Sequence, residues 1–137
     1  LDKGVLRARS YAPSLDDVFE IPPALAGRET RAALGNLHRL LDSGNTPEGI
    51  MPVLAWQIRT LIAVRDLLDR RVSEGRMAEA SGLTDYTLRK AIPQARQFTM
   101  PALLHIHSRL LNLDHAVKTG RADAEMTLDA LVVEMCR

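Results

Sequence analysis

The 137-residue chain has a single cysteine, Cys136, next to its last position, so no internal disulfide can staple the fold. Aromatics are scarce as well: one Trp, two Tyr and two Phe, 4% of the residues. An interior without aromatic bulk has to be filled by Leu, Ile, Val, Ala and Met, which favours helices packed on helices over a sheet. Charge of one sign is also missing. The 18 Lys plus Arg against 17 Asp plus Glu leave a net +1, too little to draw the whole chain onto nucleic acid or an anionic membrane. No apolar run approaches the roughly 20 residues of a membrane span, and no signal-peptide pattern opens the chain. The expectation is a cytoplasmic protein with no membrane partner.

What is present is enough for one domain, which at this length buries roughly two-thirds of its unfolded surface. The chain opens "LDKGVLRARSYAP", polar and without an initiator Met. That start suggests a piece of a longer protein, with residues 1–17 a linker or the tail of a preceding module and residues 18–137 a helical domain.

Helix signals follow one another along the sequence. Ser14 and Asp17 suit the start of one short turn through Phe19, and Pro22-Pro23 ends whatever precedes it. From Arg28 to Asp42, Leu34, Leu37, Leu40 and Leu41 recur at helical spacing until Asp-Ser-Gly-Asn supplies a stop. Thr46-Pro47-Glu48 then combines an N-cap, a first-turn proline and an acid, and opens the longest helix. Its stripe runs Ile50, Leu54, Ile58, Leu61, Val64, Leu68, widened by Val53, Ile62 and Leu67, a breadth that implies partners on more than one side.

A short helix from Ser73 or Glu74 should close at Gly82. Thr84 caps the next, which carries Leu88 and Ile92 and is expected to kink or end near Ile92 because Pro93 follows. Thr99 caps a helix on which Leu103, Ile106, Leu110, Leu113 and Val117 step by three and four, and Gly120 stops it. Asp123 caps a last helix with Met126, Leu128, Leu131, Val132 and Met135 on its apolar positions. No segment alternates apolar and polar for long. The expected fold class is all-α, a compact bundle of about six or seven helices.

Catalytic groups are hard to assemble from this pattern. His105 and His107, two apart on a helix, point to roughly opposite faces and cannot share one ion. His107, Asp114 and His115 match no ligand spacing, Cys136 has no base at a telling distance, and there is no glycine-rich phosphate loop. The reading is a chain that is not itself an enzyme and needs no cofactor or metal.

One stretch, "RMAEASGLTDYTLRKA" from Arg76, has the outline of a helix-turn-helix, with Ala78, Gly82 and Leu88 at the corresponding places. Over residues 76–96, Arg76, Arg89, Lys90 and Arg96 stand against Glu79 and Asp85, and Asp85 heads the second helix with the wrong sign for phosphate. Packing of two short helices on the long ones accounts for this stretch, and a DNA-binding regulator using residues 76–96 is the alternative.

Three longer stretches occur in a telling order: "LLDSGNTPEGIMPVLAWQIRTLIAVRDLL" (40–68), "LTDYTLRKAIPQARQFT" (83–99) and "LLNLDHAVKTGRADAEMTLDALVVEM" (110–135). Together they resemble the C-terminal domain of the delta subunit of the bacterial DNA polymerase III clamp loader. The most specific element is Asp114, Lys118 and Gly120 in a D-x-x-x-K-x-G run, joined by Leu54-Ala55-x-Gln57-x-Arg59 and by Lys90, Gln94, Ala95, Arg96 and Phe98. The sequence departs from the pattern at Pro93 and at Pro22-Pro23.

The resemblance implies a helical collar domain in chromosomal DNA replication. Its partners would be the other clamp-loader subunits, of gamma/tau and delta-prime type, with the sliding clamp met through an upstream AAA+-type module and DNA only indirectly. A collar needs one apolar seam for its own core and another for its neighbours, which the broad stripe from Ile50 to Leu68 would supply. Trp56, Arg59, Arg65, Arg89 and Arg96 are the expected contact residues, since Trp and Arg are enriched where subunits bind most strongly.

Overall fold

Threonines decide where three of the helices begin. Thr46, Thr84 and Thr99 are each in extended conformation, and each hydroxyl accepts a backbone N–H three residues on, from Gly49 at 3.0 Å, Thr87 at 3.1 Å and Ala102 at 3.2 Å. Each such cap satisfies a donor that the helix itself cannot, worth about 1 kcal/mol. In the computed structural model, residues 30–121 and 123–135 are described. The features expected at residues 1–29 and at Cys136 lie outside them. Among the described residues there are six helices and no strand: α1 Thr30–Asp42, α2 Pro47–Asp69, α3 Glu74–Ser81, α4 Asp85–Ala95, α5 Met100–Lys118 and α6 Ala124–Met135.

The architecture is organised around α2. This helix packs against α3, α4, α5 and α6, while α1 reaches the bundle chiefly through α6, which also packs on α5. Ile50, Leu54, Ile58, Leu61, Val64 and Leu67 are all buried, and Val53, Ile62 and Leu68 are half-buried against the same core. Leu67 thus takes the inward place expected of Leu68. The breadth of this stripe does have several partners, but they are helices of the same chain. Neighbouring subunits are not needed to explain it.

Two prolines sit inside helices. Pro93 was expected to kink its helix or end it near Ile92; α4 does not end there but runs on to Ala95, and Arg96 N–H donates to Ile92 O at 3.1 Å. The bond that Pro93 forgoes is to the carbonyl of Arg89, and both residues are exposed, so the loss falls on the solvent side of the helix. Pro52 in α2 stands in the same relation to Glu48, again on the solvent side.

Candidate functional site

The expected contact residues come from α2 and α4, and the structure places them differently from one another. Trp56 is half-buried and Arg59 exposed on α2, while Arg89 is exposed on α4. Trp56 and Arg65 are nine positions apart, which puts them on opposite sides of α2. The five residues therefore do not form one patch on a single helix face.

Two of the five are engaged inside the chain. Arg65 Nη1 donates to the carbonyls of Ala95 at 3.2 Å and Phe98 at 3.4 Å, and its Nη2 lies 2.8 Å from Asp69 Oδ1. Ala95 ends α4 and Phe98 lies three residues beyond it, with Phe98 N–H also donating to Ala95 O at 3.2 Å, so the guanidinium from α2 adds a second donor to this corner. Arg96 bridges to Glu74 at 3.0 Å and ties the end of α4 to the start of α3. Further along the same crossing, Gln57 is fully buried and its Nε2 donates to Gln94 Oε1 at 3.0 Å. Arg65, Gln57, Gln94 and Arg96 are thus the polar fastening that sets α4 against its neighbours.

The stretch read as a helix-turn-helix outline folds as two short helices joined at a glycine. Gly82 follows α3 in the left-handed conformation at φ 75°, three residues separate α3 from α4, and Met77, Leu88 and Ala91 are buried beneath the turn. On its outer side Lys90 Nζ stands 5.9 Å above the Tyr86 ring. An open cleft of about 570 Å³ beside α4 has walls of mixed charge, with Arg89 and Arg96 facing Glu74 and Asp85. The acids blunt what the bases offer a phosphate.

The histidines remain apart. His38 Nε2 lies 2.9 Å from Asp129 Oδ1 and links α1 to α6, His105 and His115 are exposed, and His107 is half-buried. Among the described residues no group of three or more His, Cys, Asp or Glu could hold a metal ion, and no helix is long and apolar enough to cross a membrane.

Asp114, Lys118 and Gly120 act together at the end of α5. Lys118 Nζ pairs with Asp114 Oδ2 at 2.8 Å, one turn apart, and Gly120 takes the left-handed conformation at φ 75° that the chain needs to leave the helix. The resemblance read from this run and the other stretches is tested by comparison with known proteins. The family profile described as DNA polymerase III delta subunit, C-terminal domain, matches residues 15–135. The chain belongs to this family.

Two relatives within the family's range extend the comparison. The chain is 23% identical over 136 residues to the DNA polymerase III subunit delta of Bacillus subtilis (strain 168), covering 99% of this chain and 38% of that protein. Its fold is similar to the solved structure of the Bacillus subtilis DNA clamp loader delta protein, with a TM-score of 0.83 at 22% identity, over 90% of this chain and 37% of the other. The delta-family chain described here thus spans a little over a third of the length of the relatives it matches.

Sequence reasoning missed the outward apolar residues. Leu104 and Leu111 on α5 and Met126 and Val133 on α6 are large, apolar and exposed. Met126, read as part of the inward face, is 72% exposed. A usable signal was present: α6 is apolar nearly all round, and an outer helix of that kind cannot hide every side of itself in a bundle this size.

Proposed function

We propose that this chain is the collar module of a clamp-loader delta subunit, an all-α domain that holds the subunit in the complex loading the sliding clamp onto DNA during replication. The observation that carries this reading is the family match, which extends over nearly the whole chain from 15 to 135. Residues 18–137 form the assembly domain, and residues 1–17 lead into it from an AAA+-type module through which the parent protein meets the clamp. The other partners are the gamma/tau and delta-prime type subunits, reached through the helices, in the bacterial cytoplasm. The domain contributes binding and no chemical step.

Within this reading, Arg59 on α2 and Arg89 on α4 carry the expected contacts, since both are exposed. Trp56 supplies half-buried apolar area beside Arg59. Arg65 and Arg96 act on a partner indirectly, by fixing the position of α4.

Analytical ultracentrifugation of the chain with purified loader subunits of gamma/tau type tests the proposal. Co-sedimentation at micromolar concentration is the expected outcome. Separate sedimentation of all components at that concentration would overturn it.

A further inference from the structure

The last helix carries charge of one sign only. α6 contains Glu125, Asp129 and Glu134 and neither lysine nor arginine, and Asp123 caps its start by accepting from Met126 N–H at 3.0 Å. Ala124, Leu128, Leu131 and Val132 are buried against the bundle. Met126, Ala130 and Val133, separated by four and then three positions, line the opposite face of the helix. All three are exposed. Beside this stripe an open groove of about 340 Å³ lies between α5 and α6, walled by Leu113, Met126, Ala130 and Leu131, with Arg109 and Asp123 as its charged groups.

A contiguous apolar strip rimmed by charge marks a contact surface more often than a surface that meets only water. The unbranched thioether of Met126 adapts its shape to whatever packs on it. We propose that the outer face of α6, with the groove beside it, receives one α-helix of a neighbouring loader subunit, a helix whose apolar stripe is flanked by lysine or arginine. The inference rests on the assembly role above and adds to it the surface and the chemistry of its occupant.

The sign of the flanking charge selects that occupant. Glu125 stands exposed next to Met126, and in the groove wall Asp123 is matched by Arg109 of α5, so the excess charge beside the strip is the acid of α6. Two copies of an acid-only helix laid side by side repel each other, so pairing of this chain with itself through α6 is disfavoured. A helix with basic flanks meets the acids while its apolar stripe covers Met126, Ala130 and Val133, which is the helix-in-groove mode of recognition.

The test uses the same sedimentation assay with three forms of the chain: wild type, the double substitution Met126→Glu with Val133→Glu, and Glu125→Lys. Circular dichroism establishes that the variants fold, which is expected because the substituted side chains face outward. The double variant should lose at least tenfold in affinity for the loader subunits. Glu125→Lys should lose several-fold, with the loss shrinking as salt is raised. A folded double variant that binds within twofold of wild type overturns the assignment of the surface and leaves the assembly role standing. Failure of wild type itself to co-sediment overturns both. Self-association of wild type at the same concentration, abolished by the double substitution, makes the face a self-contact and overturns the choice of partner.

Discussion

Helix α2 and helix α6 both present apolar side chains around most of their circumference, yet α2 hides nearly all of them and α6 leaves Met126, Ala130 and Val133 outside. The difference is one of position. α2 runs through the middle and has α3, α4, α5 and α6 around it, whereas α6 lies at the edge with α1, α2 and α5 on its inner side only. A wide apolar stripe therefore says how much area has to be covered and nothing about whether the cover comes from the same chain. The contact surface of an assembly module is better sought on the outermost apolar helix than on the most apolar one.

The sharpest way to break this comparison is to truncate one residue in each helix. Leu61 in α2 is fully buried. Leu61→Ala should cost about 2–5 kcal/mol, from lost transfer energy and the cavity left behind. Val133 in α6 is 37% exposed, and Val133→Ala should change stability by less than about 1 kcal/mol. Urea unfolding followed by circular dichroism measures both. Similar losses in the two variants would mean that α6 is as much a core helix as α2.

A smaller effect sharpens what α2 does beyond apolar burial. Arg65 supplies donors to the carbonyls of Ala95 at the end of α4 and Phe98 just beyond it, and holds Asp69 as well. Arg65→Ala leaves those carbonyls without the guanidinium, and the expected loss is about 1–3 kcal/mol in the same unfolding experiment. Arg65→Lys should recover only part of it, because an ammonium cannot present a fork to two carbonyls and a carboxylate together. Full recovery by lysine would show that charge alone, without the geometry, holds α4 in place.

Much of this arrangement was legible before the structure. Thr46, Thr84, Thr99 and Asp123 announced four helix starts, because a side-chain acceptor ahead of an apolar period has few other uses. Gly82 and Gly120 announced two ends. What the sequence could not convey was direction and neighbours. Arg65 and Arg89 look alike in a list of helix-surface arginines, and only the crossing of α2 with α4 turns one inward to a helix end while the other stays exposed. Pro93 misled for a related reason: its cost depends on whether the orphaned carbonyl faces water, which the fold decides. Met126 fits the helical period of α6 as well as Leu128 does, so periodicity alone could not say which side of a helix apolar all round was the inner one.

The smallest effect concerns how the central helix and the outer ones end. α1, α2 and α5 finish in the same double-bonded turn: Asn45, Val72 and Arg121 donate back to Leu40, Leu67 and Ala116, and Gly44, Arg71 and Gly120 donate to Leu41, Leu68 and Val117. The residue at the turning point has φ 96° in Gly44 and 75° in Gly120, but in α2 it is Arg71 at φ 60°. A residue with a Cβ is strained there by about 1 kcal/mol, since the side chain crowds the following carbonyl. Arg71→Gly should therefore raise stability by about 0.5–1 kcal/mol, less than the relieved strain because glycine also gains freedom in the unfolded chain. Gly120→Ala should lower stability by a comparable amount for the mirror-image reason. Opposite signs in the two variants would place the strain in the backbone. A loss of stability in Arg71→Gly would show instead that the arginine side chain makes contacts worth more than the strain, and would turn attention to what it touches at the end of α2.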